Sequence, residues 1–179
     1  FLRLEKDYLN VLLVEQPNGH FGDTIMRQFL FDAFRLPLLT KLQDSKDNTL
    51  SSIAEKALKE TKYHLRHSSE WVVRLGDGTE ESHHKIQESL NTLYRYSHEL
   101  FFVDEADVLL QQEAIIPELD DIKSQWSQTI KDVLEMATLS LPTNNWKFEG
   151  GRMGRHSEHM GYLLAEMQYM QRTYPNMEW

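Results

Sequence analysis

Three polar side chains recur at helical spacing: Glu60, His64 and His67. Residues three and four apart share one face of a helix, with Cβ atoms about 5–6 Å apart. Carboxylates and imidazoles on facing helices are what a bundle uses to hold a pair of metal ions. Such sites take a Glu-x-x-His pair from each of two helices and a single glutamate from each of the others. Here the third residue after Glu60 is Tyr63, and the imidazole of His64 falls one place late. One place turns a side chain by about 100° around the helix axis, and a phenol is a poor iron(II) ligand. The motif is therefore broken. On that reading Glu60 and His64 belong to an incomplete metal site. The other reading is a seam of buried, hydrogen-bonded polar side chains.

Asp32 is the second candidate. It stands on the row Ile25, Phe29, Asp32, Leu36, Leu39. A carboxylate inside a core is costly unless paired or metal-bound. Asp32 is thus a metal ligand, a member of a buried ion pair, or a sign that the helix is rotated and the carboxylate meets solvent or a lysine. His156, Glu158 and His159 form a third set, His83 and His84 a fourth. Both lack the further ligands that a zinc site needs, and solvent-facing or capping histidines are the expectation. There is no cysteine, so thiolate metal sites, disulfides and cysteine nucleophiles are excluded. That fits a reducing cytosol. No Gly-rich phosphate loop, dinucleotide fingerprint or Gly-x-Ser-x-Gly elbow occurs. The residues yield no catalytic and no metal assignment.

The elements that must position these residues are helices. A first helix follows Gln16-Pro17-Asn18-Gly19, with Asp23 as its cap, and Pro37 should kink it or end it early. A second starts near Asp47 and runs to Leu75, with an inward row Ile53, Ala57, Glu60, His64, His67, Trp71. Gly76 and Gly78 stop it through the left-handed conformation. Thr79 caps a third, with the row Ile86, Leu90, Leu93, Ser97, Leu100. A short helix spans Asp104 to Gln111. Pro117 suits the first position of the next, which carries Ile122, Trp126, Ile130, Val133 and Ala137 inward. A long loop runs from Leu141 to Gly154 and includes Asn144 and Asn145. The last helix, from about His156 to Arg172, has Met160, Leu163, Met167 and Met170 on one face, as a core row or a docking stripe. Without an internal repeat or linker, this is one all-α domain over 1–179.

The net charge of −9 repels phosphate backbones, which argues against nucleic acid as a partner. No apolar run approaches the roughly 20 residues of a membrane span, so no membrane partner is expected either.

Three segments together resemble a known family. They are Leu12–Phe34 (LLVEQPNGHFGDTIMRQFLFDAF), Ala57–Ser82 (ALKETKYHLRHSSEWVVRLGDGTEES) and Arg155–Trp179 (RHSEHMGYLLAEMQYMQRTYPNMEW). They are similar to the C subunits of bacterial phenylacetyl-CoA epoxidase, also called ring-1,2-phenylacetyl-CoA epoxidase. The likeness spans essentially the whole chain, and runs such as VEQPNG and GYLLAEMQYMQR are long and specific.

The resemblance implies a ferritin-like four-helix bundle, in which Asp32, Glu60, Tyr63 and His64 read as degenerate metal-site remnants facing the bundle centre. It implies a cytoplasmic, non-catalytic structural subunit of a multicomponent di-iron monooxygenase that epoxidises the ring of phenylacetyl-CoA in aerobic phenylacetate degradation. The partners it implies are a catalytic ferritin-like A subunit that holds the di-iron centre, a small B subunit and an iron–sulfur flavoprotein reductase, with no cofactor in this subunit. Family members begin earlier, with about two more helices before the stretch matching Phe1, so a four-helix bundle makes this chain an N-terminally truncated fragment. Two other functions stay open from the residues. One is a ferritin-like metal-binding enzyme using Asp32, Glu60 and His64; the other is a helical scaffold for another partner.

Overall fold

The computed structural model describes residues 2–143 and 146–177. Asn144 and Asn145 of the expected loop, and Glu178 and Trp179 at the end of the third resembling segment, lie outside the described residues. Among those described, every regular element is helical, which agrees with the all-α expectation. The α-helices are α1 (Phe21–Leu42), α2 (Asn48–Gly76), α3 (Glu80–Leu93), α4 (Glu105–Gln112), α5 (Leu119–Met136) and α6 (Met160–Thr173). A 3₁₀ stretch, Tyr94–Phe101, continues α3, and short 3₁₀ turns occur at Glu5–Asp7, Leu12–Glu15 and Gly151–Met153. None of the helices is long and apolar enough to cross a membrane.

α1 lies at the centre and packs against α2, α3 and α5. Its buried residues include Ile25, Met26, Phe29, Leu30 and Ala33, which meet Val72, Ile86, Leu90, Trp126 and Ile130 in one core. Full burial of each large apolar side chain contributes about 1.5–3 kcal/mol. Trp126 Nε1 donates to Leu30 O at 3.0 Å and fixes α5 on α1. The expected rows of α3 and α5 are the buried ones.

Other expectations need correction. His20, not Asp23, is the N-cap of α1; Asp23 sits three places in and closes a capping box with it. Pro37 does not end α1, which runs on to Leu42 with Pro37 buried inside it. A lost backbone bond costs an interior helix about 3 kcal/mol, and packing on three neighbours offsets it. α6 begins at Met160 rather than near His156. α5 begins at Leu119, after Pro117.

The largest correction concerns α2. Its buried residues are Ala54, Thr61, Ser68, Val72 and Gly76, so the helix is turned by about one residue from the expected row. Small side chains allow two helix backbones to approach closely, and they select the packed face here over the larger polar ones. Gly76 shows the reason at one point: a Cβ there would run into the carbonyl of Ala137 and lie 2.8 Å from Ala137 Cβ. The left-handed conformation is not involved, since Gly76 is the last α-helical residue and Asp77 caps with φ −90°.

Candidate functional site

The turn of α2 decides where the expected site residues stand. Glu60, Tyr63, His64 and His67 are exposed. They line the outer face of α2 and not the packed interior of this chain. Tyr63 is 56% exposed. Its ring stacks on His67 with centroids 6.1 Å apart; His67 meets Trp71 edge-on at 6.5 Å, and Trp71 meets Phe21 at 5.1 Å. Arg66 lies over Tyr63 and Arg74 over Trp71. This is an aromatic ladder with cations on it. It occupies the imidazole of His67 with ring contacts.

Asp32, by contrast, is fully buried. Gln28, one turn earlier on α1, donates its amide to Oδ2 at 2.6 Å. The other oxygen, Oδ1, has no hydrogen bond, and Arg35 Nη1 stands 3.7 Å from it. That distance is an ion pair without a hydrogen bond. Burial pushes the Asp32 carboxyl above the ordinary range; the Gln28 hydrogen bond and the charges of Arg35 and His64 pull it back in part. Asp32 therefore belongs to an ion pair that leaves one of its oxygens without a hydrogen bond. It does not converge with Glu60 and His64 on one point: among the described residues no group of three or more His, Asp or Glu side chains could hold a metal ion. Two irons need some six such donors, and the donors present do not fit that requirement.

The histidine sets divide. His83 Nδ1 lies 2.7 Å from Gly76 O and so caps the end of α2. His84 pairs with Glu88 at 3.3 Å on the surface. His156 departs from expectation. Neither solvent-facing nor a helix cap, its side chain is buried with Nδ1 2.6 Å from Glu15 Oε1 and Nε2 3.0 Å from Tyr8 O. Its deep position follows from the 3₁₀ turn and Gly154, which bring the 146–160 segment back against the amino-terminal stretch.

Two buried carboxylates carry no motif that marks them in the sequence. Glu15 accepts from Asn10 Nδ2 at 2.8 Å, and from the backbone N–H and hydroxyl of Ser157, both at 2.8 Å. Glu99 accepts from Leu12 N at 2.7 Å through Oε2, and from Gly150 N at 2.9 Å and Arg152 N at 3.1 Å through Oε1. Gly150 has φ +133°, a conformation that glycine alone adopts readily, and it is this that aims its N–H at Glu99. A carboxylate with several donors is stable in a buried place. The pair thus fastens the segment after residue 146 to the bundle. The signal that could have marked Glu15 was its place inside the VEQPNG run.

A cleft of about 700 Å³ opens between the start of α1, α3 and the start of α6, with Gln16, His20, Asp23, Ser89, Tyr96 and His159 among its walls. Asp23 Oδ1 there accepts from Ser89 Oγ at 2.7 Å.

The family model described as phenylacetic acid catabolic protein matches residues 1–179. A relative from Escherichia coli (strain K12), the C subunit of 1,2-phenylacetyl-CoA epoxidase, is 44% identical over 179 residues, which is 100% of this chain and 72% of the relative. With a match from the first residue to the last and identity at that level across the same span, the chain belongs to the phenylacetic acid catabolic protein family.

Proposed function

We propose that this chain is the non-catalytic structural subunit of a multicomponent monooxygenase that epoxidises the aromatic ring of phenylacetyl-CoA, and that it works in the cytoplasm. Its partner on this reading is a catalytic A subunit that carries the di-iron centre, with a B subunit and a reductase in the wider complex. The whole-chain identity to a C-type subunit supports it. The observation that carries the non-catalytic part is the dispersal of the donors. Asp32 is spent on Gln28 and Arg35, Tyr63 stands where the motif needs a histidine, and Glu60 and His64 lie on an exposed face.

That exposed face supports a second proposal. We propose that further helices pack over Glu60, Tyr63 and His64 to complete a four-helix bundle. The remnants would then face the bundle centre.

The test is turnover of phenylacetyl-CoA per assembled complex, with Glu60→Gln in the full-length protein. Turnover per complex should stay within about twofold of the parent, since no reacting atom is touched. Loss of turnover with assembly and the partner's iron content intact would overturn the reading.

A further inference from the structure

We propose that Asn18 is a self-modifying site: Gly19 N attacks its side-chain amide, Arg27 supports the reaction, and the aspartate that results becomes the counter-ion of Arg27.

Of the asparagines in the chain, Asn18 alone is followed by glycine. Any other residue would shield the next backbone nitrogen with its side chain; glycine leaves it open. Asn18 and Gly19 are both exposed, in the loop that leads into α1. The fold itself requires the glycine. Gly19 has φ +52°, and a Cβ there would run into Asp23 Oδ2, which accepts from His20 N at 3.0 Å in the capping box. A left-handed backbone of this kind suits glycine. Neither Gly19 N nor Asn18 Nδ2 makes a hydrogen bond among the described residues. Nucleophile and leaving group are thus both free, while the side-chain carbonyl is held.

The holder is Arg27. Its Nη2 donates to Asn18 Oδ1 at 2.6 Å, and its Nη1 donates to the carbonyls of Gln16 and Pro17. When Gly19 N loses its proton to solvent and bonds to Asn18 Cγ, negative charge develops on Oδ1. A guanidinium already donating there stabilises it, as an oxyanion hole does, and the attack closes a five-membered ring within one chain. The Cγ–Nδ2 bond then breaks and ammonia leaves with a proton. Water opens the cyclic imide at Cγ, so the bond to Gly19 N is lost again and a carboxylate remains. The balance is one water taken up and one ammonium released. Water attacking the backbone carbonyl of Asn18, which accepts from Thr24 Oγ1 at 2.9 Å, would give isoaspartate instead. A charge-assisted bond is roughly twice as strong as a neutral one, so Arg27 directs the opening to Cγ and to ordinary aspartate.

Arg27 gains from the product. It is half-buried, and its three acceptors are all uncharged. Asp23, the carboxylate whose charge reaches it, is spent on His20 N and Ser89 Oγ. Burial pushes the Arg27 guanidinium below its ordinary range, and Asp23 raises it only in part. An aspartate at position 18 supplies the missing charge at a contact already made.

The experiment is incubation of the full-length protein in mildly alkaline buffer, followed by peptide mapping that separates amide, aspartate and isoaspartate. Asn18 should convert before any other asparagine, and mainly to aspartate. Arg27→Gln should slow the conversion about tenfold. Asn18→Asp, which leaves Arg27 in place, should raise the melting temperature by about 2–4 °C, and by less in the Arg27→Gln background. If Arg27→Gln does not fold, the melting shift of Asn18→Asp decides alone. An Asn18 that stays an amide in the folded protein while it converts in urea overturns the proposal, because the fold then protects the site. An isoaspartate majority, conversion at the parent rate in folded Arg27→Gln, or an Asn18→Asp variant no more stable than the parent overturns it as well. No partner enters the measurement, so the outcome is independent of the subunit reading.

Discussion

The Glu15 carboxylate and the His156 imidazole meet at 2.6 Å across 141 positions of sequence, and each side chain is about 1% exposed. Both nitrogens of His156 face oxygens, Glu15 Oε1 on one side and Tyr8 O on the other. The remaining Glu15 oxygen takes both donors of Ser157. Three separate stretches of chain thereby share one buried polar cluster, and α6 hangs from it. Removing one partner of such a cluster leaves the others buried without a match, which costs more than the pair contributes when intact.

Glu15→Gln tests this directly. The amide keeps the volume but must turn an NH₂ toward the two donors of Ser157 or toward the amide of Asn10, so donor faces donor. We expect a loss of about 1–3 kcal/mol in urea unfolding. Amide exchange in α6 should quicken more than exchange in α1, because α6 depends on the cluster and α1 on the apolar core. Equal quickening in both helices would show that the cluster holds the bundle and not the arm.

The elements differ in how far the sequence disclosed them. The rows of α3 and α5 were legible because each helix has one apolar face, so Ile86 and Leu90, or Ile122 and Trp126, mark it at once. α2 was not, because its buried stripe is Ala54, Thr61, Ser68 and Gly76, chosen for smallness and not for hydrophobicity. Large polar residues such as His64 and His67 then pointed to the face that is exposed in this chain. Of the candidate site, the burial of Asp32 was half legible: its place between Phe29 and Leu36 on an apolar row left a buried ion pair and a rotated, solvent-facing helix both open, and the structure buries it. Glu15 and Glu99 were silent. Their partners are largely backbone N–H groups brought from distant segments, and no local spacing encodes such a meeting. His156 shared their silence, since its partner stands at the other end of the chain.

Gly76→Ala separates intrinsic helix preference from packing. Alanine favours a helix over glycine by about 1 kcal/mol. At this position its Cβ would press into Ala137, at the end of α5. Overpacking of a rigid contact costs about 1–3 kcal/mol, so the net effect should be destabilising, with a lower melting temperature. A melting temperature at or above the parent's would mean that α5 shifts freely away from α2.

Asp32→Asn addresses the half-satisfied carboxylate. Burial holds the Asp32 carboxyl above its ordinary range, so the folded state takes up a proton that the unfolded chain gives up more readily. Between the ordinary carboxylate value and the raised one, the folded form binds more protons, and stability falls as pH rises. Above that window the full cost of the buried charge is present; below the ordinary value it is gone. Asparagine keeps the shape and carries no charge, so it escapes this cost. Its own amide can accept from Gln28 through oxygen, and Arg35, about one-third exposed, can turn to water. The variant should therefore be more stable than the parent at neutral pH, by about 1 kcal/mol. Its advantage should shrink as pH falls through the carboxylate range. Urea unfolding at several pH values reads both curves. An advantage that stays constant with pH would show that the substitution acts through packing. A variant less stable than the parent at neutral pH would show that the ion pair with Arg35 outweighs the desolvation of Asp32.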